Sequence, residues 1–172
     1  MIVFLDRDGV ILKPIEKAGK GYAISKVTEL EYYADVKDSF TKLKTIAEFI
    51  FVITNQPDLH SGQLTIENLE EIHTRILVDL PINQIFFCPH ISEQNCKCRK
   101  PKTGLFHTAK DKWKITDTDS WMVGDRDSDI QAGHKFGCKT IFIDRGWEGE
   151  TGIEADFKVE SLQGAVEIMI HG

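Results

Sequence analysis

The feature that most constrains this chain is a set of short apolar runs, each of which stops at a polar or acidic residue. Ile2-Val3-Phe4-Leu5 meets Asp6, Phe49-Ile50-Phe51-Val52-Ile53 meets Thr54, Ile85-Phe86-Phe87 meets Cys88, and Trp121-Met122-Val123 meets Gly124-Asp125. Runs of this length fit strands buried on both faces and are too short to make helices. The pattern predicts strands at 2–6, 49–54, 85–88, 120–124, 139–144 and 156–159. Amphipathic segments lie between them. One helix is expected over 36–48, with Val36, Phe40, Leu43 and Ala47 inward and Asp35 as its cap. A second is expected over 66–79, capped by Thr65, with Ile66, Leu69, Ile72, Ile76 and Leu77 inward. Others are expected over 104–113, over 127–136 with Gly137 as its C-cap, and after the cap Ser161. Residues 7–34 read as a long loop with a short hairpin, and 55–64 and 89–103 as further loops.

This alternation predicts an α/β fold: a mostly parallel central sheet with helices on both faces. In such sheets ligands gather at the carboxyl ends of the strands, beside a switch in strand order. Asp6, Thr54, Cys88 and Asp125 therefore converge on one rim. With 172 residues and no repeat or linker, the chain is expected to be one domain over 1–172 that builds a core without disulfides. Its 27 acidic and 21 basic residues give a net charge of −6, which disfavours a nucleic-acid partner. No run approaches the ~20 apolar residues that cross a bilayer, and the first residues do not form a secretory signal. The expectation is a cytoplasmic monomer without membrane or nucleic-acid partners.

Asp6 and Asp8 would share one face if the first strand continued, and Asp125 follows the fourth. Neighbouring carboxylates repel and are hard to keep ionised without a cation. A Mg²⁺ ion resolves this through oxygen ligation and usually brings substrate phosphate with it. Turn and cap chemistry accounts for Asp127, which can cap the helix that follows it. It accounts poorly for an acid closing an apolar strand with a second acid two residues on.

Asp6-Arg7-Asp8-Gly9-Val10, Thr54-Asn55-Gln56, Arg99-Lys100-Pro101-Lys102 and Gly124-Asp125-Arg126-Asp127-Ser128-Asp129 resemble, in order, the four motifs of the haloacid dehalogenase (HAD) superfamily. The resemblance implies a Rossmann-like HAD fold and a phosphatase that uses a carboxylate nucleophile. Asp6 would be the nucleophile, and Asp8 the acid for the leaving alcohol and then the base for water. Mg²⁺ would be held by Asp6, the backbone carbonyl of Asp8, and Asp125. Thr54 would bind a phosphoryl oxygen, helped by backbone N–H groups near Asn55. Lys100 would neutralise transition-state charge, with Lys102 as its rival for the role. A receiver-like phospho-acceptor module would also carry acids at strand ends, but it has no use for Asp8 as a proton shuttle.

Cys88-Pro89-His90 and, five residues later, Cys96-Lys97-Cys98 supply three thiolates and an imidazole, a complete tetrahedral set for a closed structural Zn²⁺ site. The metal would order a loop of low apolar content and fix Arg99 and Lys100, which follow Cys98 directly. Cys138 stands apart and reads as a core thiol. The cysteine pattern narrows the resemblance to the zinc-containing HAD branch shared by heptose-1,7-bisphosphate 7-phosphatases and histidinol-phosphate phosphatases. That branch has no separate cap domain. Three loops, here about 11–27, 57–64 and 88–99, would enclose a small phosphate ester. The heptose bisphosphate is the favoured substrate, with Arg99 and Arg126 for the phosphate that is not cleaved and Lys13, Lys17, Lys20 and Lys26 in reserve. Histidinol phosphate is the alternative, with Glu16, Asp58 and His60 available to it. The chain departs from the branch after Gln56, where Pro57-Asp58-Leu59-His60-Ser61-Gly62 replaces small residues such as Ser-Gly.

Overall fold

The structure, a computed structural model, describes residues 1–116, 119–152 and 154–171. Six strands form one parallel sheet: β1 (Ile2–Leu5), β4 (Phe49–Asn55), β5 (Gln84–Cys88), β6 (Ser120–Gly124), β7 (Lys139–Ile143) and β8 (Phe157–Val159). Their spatial order is β5-β4-β1-β6-β7-β8. The chain winds outward from β1 to β4 and β5, then returns to lay β6 on the other side of β1. That reversal puts the switch point between β1 and β6, so the crevice at their carboxyl ends opens beside Asp6 and Asp125. The parallel register pairs Leu5 with both Val52 and Val123, which brings the polar strand ends to nearly one level.

Strand alternation divides the core in two. Val3, Leu5 and Val52 face one layer, made by α1 (Val36–Ile46), α3 (Ile66–Asp79) and α6 (Leu162–His171). Ile2, Phe4, Phe51 and Ile53 face the other, made by α4 (Gly104–Trp113) and α5 (Asp127–Phe136). The α/β architecture expected from the run pattern is therefore present. The 7–34 segment holds the expected hairpin, β2 (Ile15–Lys17) paired with β3 (Lys20–Tyr22), and the 55–64 loop contains a single helical turn, α2 (Asp58–Ser61).

Several local expectations are corrected. Ile66 and Leu77 are 43% and 42% exposed, because the inward stripe of α3 is Leu69, Ile72, His73 and Ile76 and those two lie off its edge. The vacated place is filled by His73, which is only 8% exposed. Asp35 does not cap its own helix; its carboxylate instead accepts from Gln163 N–H at the start of α6 (2.9 Å). Thr65 and Ser161 cap as expected, accepting from Asn68 and Gly164. Cys138 is a buried thiol beside Ser120, and burial pushes its pKa up to about 12. Among the described residues no helix is long and apolar enough to cross a membrane.

Candidate active site

β1, β6 and the first turn of α5 bring three carboxylates together: oxygens of Asp6, Asp125 and Asp129 lie within 4.8 Å of one another, and all three residues are buried. The close approach depends on glycine. Gly9 has φ +86°, and a Cβ there would lie 1.8 Å from Asp125 Oδ2. At Gly124 a Cβ would meet that of Asp129 at 2.2 Å, so any side chain would push the α5 turn away. Asp129 had no role in the sequence reading, although it stands four residues after Asp125, a spacing that returns to the same side of a helix start. It also caps α5, accepting from Arg126 N–H at 3.1 Å. Asp127, the expected cap, turns outward and accepts from Thr151 and Gly152 N–H at 3.0 and 2.6 Å, which ties down the loop after β7.

Lys100 enters this cluster from the cysteine loop. It is 3% exposed, and its Nζ lies 2.9 Å from Asp6 Oδ1 and 2.6 Å from Asp129 Oδ1 while donating to Ile53 O. Burial works against its charge, but Asp129 and Asp6 outweigh burial and raise its pKa. Lys102, its rival, is exposed and donates to Asn95 Oδ1 and Cys96 O, away from the acids. One ammonium cannot neutralise three carboxylates. Burial first, then Asp6 and Asp129, raise Asp125 well above the ordinary carboxylate range, and burial lifts Asp129 to about 7 despite Lys100. Asp125 Oδ1 is buried without a hydrogen-bond partner. A hard divalent cation fits this donor set, since it would satisfy the orphaned oxygen and offset the excess charge.

Asp8 is placed differently from the expectation of a carboxylate crowded against Asp6. Its oxygens accept from Arg7 Nε and Nη2 (3.0 and 3.2 Å) and from Gln56 Nε2 (3.0 Å), so a guanidinium neutralises it. Gln56 also donates to Thr54 Oγ1 at 2.9 Å. The Asn55 amide is occupied in bracing Lys100: its Oδ1 accepts from Lys100 N–H and its Nδ2 donates to Lys100 O. Trp147, which no motif of the sequence marks, is buried and donates from Nε1 to Asp125 Oδ2 at 2.5 Å.

These groups open into a cavity of about 390 Å³ lined by Asp6, Asp8, Thr54, Asn55, Lys100 and Asp129 at its base. The expected loops supply its walls: Pro14, Gly21, Tyr22 and Ala23 from the first, Pro57 and Asp58 from the second, and Arg99 from the third. Arg126 also lines it, held by Gly21 O at 2.7 Å and by Glu150. Glu16, His60, Lys13, Lys17, Lys20 and Lys26 are not among the lining residues. Lys13 is paired instead with Glu31.

The cysteine loop forms a second cluster. Cys88, His90, Cys96 and Cys98 turn their donor atoms inward, with Sγ–Sγ distances of 3.2 to 3.6 Å and His90 Nδ1 3.3 Å from Cys98 Sγ. A tetrahedral zinc with ~2.3 Å bonds to sulfur implies donor separations of about 3.7 Å, so this set fits the metal with little adjustment. Arg99 N–H donates to Cys96 Sγ at 3.3 Å, and Arg99 Nη1 to His90 O at 3.0 Å. The cluster thereby fixes the chain from which Arg99 and Lys100 reach the cavity.

Comparison with known proteins agrees with this geometry. A family model described as HAD-hydrolase-like matches residues 97–165. A D-glycero-beta-D-manno-heptose-1,7-bisphosphate 7-phosphatase of Helicobacter pylori is 34% identical over 137 residues, 76% of this chain and 75% of that protein. A histidine biosynthesis bifunctional protein of Campylobacter jejuni is 29% identical over 94% of this chain, but over only 47% of its own length. In fold, the chain matches the crystal structure of the D,D-heptose 1,7-bisphosphate phosphatase from B. bronchiseptica complexed with magnesium and phosphate, with a TM-score of 0.82, 24% identity and coverage of 99% and 98% of the two chains. At the identity and coverage of the Helicobacter pylori relative, the chain belongs to the HAD-like phosphatases, in the branch that contains the heptose-1,7-bisphosphate 7-phosphatases.

Proposed function

We propose that this chain hydrolyses D-glycero-D-manno-heptose 1,7-bisphosphate at the 7-position in the cytoplasm, as one monomeric domain over 1–172, through a phosphoryl group carried on Asp6. The observation that carries the reading is the contact of Lys100 with both Asp6 and Asp129 at the floor of the cavity. It puts a nucleophilic carboxylate and a fixed cation where one phosphoryl group would sit. An Asp6 oxygen attacks phosphorus, and the bond to the ester oxygen breaks as Asp8 gives that oxygen its proton. Water then attacks the aspartyl-phosphate, Asp8 takes its proton, and inorganic phosphate leaves. Lys100 and Thr54 Oγ hold the equatorial oxygens during both transfers. Mg²⁺, when bound by Asp6, Asp125, Asp129 and the carbonyl of Asp8, offsets the charge of carboxylate and phosphate. Zn²⁺ in the Cys88, His90, Cys96 and Cys98 set is structural, because four protein ligands leave no open position.

The second phosphate of the substrate meets Arg99 and Arg126, which line the same cavity. Histidinol phosphate is the second reading, favoured by the bifunctional relative and by Asp58, an acid among the cavity-lining residues that could meet an amine. Phosphate release from both anomers of the heptose 1,7-bisphosphate, from fructose 1,6-bisphosphate and from histidinol phosphate separates the two. We expect kcat/KM for one heptose anomer to exceed the others by about a hundredfold, within the range that pocket-shape contacts supply. A lead for histidinol phosphate transfers the assignment to it, and equally slow rates on all four defeat both.

The indole of Trp147 orients Asp125, and partners of metal ligands commonly contribute about tenfold or more to metal affinity. Trp147→Phe should therefore weaken Mg²⁺ binding about tenfold, as read by calorimetric titration without substrate. Unchanged affinity would show that the indole merely packs.

A further inference from the structure

Among the described residues Arg7 is the largest fully buried side chain, at 0% exposure, and it lies beside the cavity without being among the residues that line it. Its guanidinium forks onto Asp8, donates from Nη2 to Gln56 Oε1 at 3.0 Å, and meets His73 Nε2 through Nη1 at 3.1 Å. A guanidinium has donors only, so His73 Nε2 must accept and the ring proton must sit on Nδ1. Burial, then the charge of Arg7, lowers the imidazole pKa to about 3, consistent with a ring that stays neutral throughout turnover. His73 comes from the middle of α3, outside every motif of the site, and occupies a place in an otherwise apolar stripe beside Phe87. An apolar residue would fill that place at no polar cost; the imidazole there meets Arg7 through Nε2.

The geometry points to His73 as a positioning residue for the proton transfer to the leaving group: it anchors Arg7, and Arg7 with Gln56 holds the Asp8 carboxyl in one rotamer toward the ester oxygen. The inference rests on the role of Asp8 proposed above. Asp8 Oδ2 receives both Arg7 Nε and Gln56 Nε2, whereas Oδ1 receives only Arg7 Nη2 at 3.2 Å. Oδ1 is thus the oxygen with a free lone pair, the one that can carry the proton. In the first step that proton moves from Oδ1 to the bridging ester oxygen, the P–O bond to that oxygen breaks, and the bond from Asp6 to phosphorus forms. Without an acceptor at residue 73, Nη1 is buried and unpaired, and the guanidinium must rotate to find a partner, which turns Asp8 with it.

Leaving-group dependence tests this, because an alkoxide needs the proton and p-nitrophenolate does not. The parameter is kcat/KM, which covers steps up to departure of the alcohol and excludes hydrolysis of the aspartyl-phosphate, common to all esters. His73→Phe keeps the ring and removes the acceptor. It should lower kcat/KM about 30-fold on the primary alkyl phosphate the wild type uses best, and no more than about threefold on p-nitrophenyl phosphate, a partial loss of what a positioned acid supplies. His73→Gln, whose Oε1 reaches the place of Nε2, should recover most of the alkyl activity. If the phenylalanine variant does not fold, His73→Asn, whose amide stops short of Arg7, carries the same expectation. Equal losses on both esters, no loss on either, or no recovery with glutamine would overturn the role. Asp8→Asn is the reference. Should it too lose both activities equally, the acid assignment of Asp8 fails and the positioning role fails with it. If Asp8→Asn shows the asymmetry and His73→Phe does not, only the positioning role fails.

Discussion

Asp6→Asn is expected to lower turnover by roughly four orders of magnitude or more, the scale on which removal of a covalent nucleophile acts, while the protein stays folded. An amide oxygen is a poor nucleophile toward phosphorus, and no neighbouring group replaces it: Asp125 lies behind the rim at 0% exposure and Asp129 is committed to Lys100 and to capping α5. Stability should hold or rise. Asp6 is one of three buried carboxylates sharing one ammonium, and its charge is among the causes that raise both Asp125 and Asp129. Neutralising it relieves that repulsion, and the amide is nearly isosteric. Steady-state hydrolysis of p-nitrophenyl phosphate with and without Mg²⁺, alongside thermal melts, measures both effects. A variant that kept more than about a hundredth of wild-type turnover would exclude Asp6 as the phosphoryl acceptor.

Loss of the cysteine-loop metal should be nearly as costly to turnover, though no cysteine touches the cavity. Zinc-binding free energy in small structural sites is about 10 kcal/mol or more, comparable to the whole stability of a domain. Here it would hold a segment, 89–103, with one short 3₁₀ turn and few apolar anchors. Lys100 stands two residues after Cys98, and the backbone of Arg99 donates to Cys96. Without the metal, the loop's ordering rests on the Asn55 brace and the Lys100 ion pairs. Cys98→Ser, or chelation of the purified protein, should abolish zinc on elemental analysis, lower the melting midpoint by roughly 10 °C or more, and reduce turnover in proportion to zinc lost. A zinc-free preparation with an unchanged midpoint and turnover would refute the structural role.

Much of this site could be read from residue order. An apolar run ending in Asp6 is legible because strand burial and polar strand ends leave a period and a stop in the sequence. The cysteine set is legible because metal ligands are few in kind and close in number. The parts that escaped reading share a different property. Asp129, rather than Asp127, caps α5 and also joins the acid cluster, because only the path of α5 decides which acid turns inward. Trp147 follows the last long strand in a segment with no periodicity, and its indole reaches Asp125 through the fold of that loop rather than through spacing. His73 leaves no mark in the sequence, since nothing adjacent in the chain points to its partner, 66 positions away.

Residue order alone thus specified the alternating strands and helices, the rim on which the chemistry gathers, and the four metal-competent cysteine and histidine donors, because each depends on local period or on ligand type. Which acid completes the cluster and which lysine enters it were settled by chain crossings at the β1–β6 switch point, and what holds Asp8 in place by the approach of Gln56 after β4 and of His73 on α3. There the deciding contacts join segments far apart in sequence, and their partners are selected by burial and by the need of each buried charge for a neighbour.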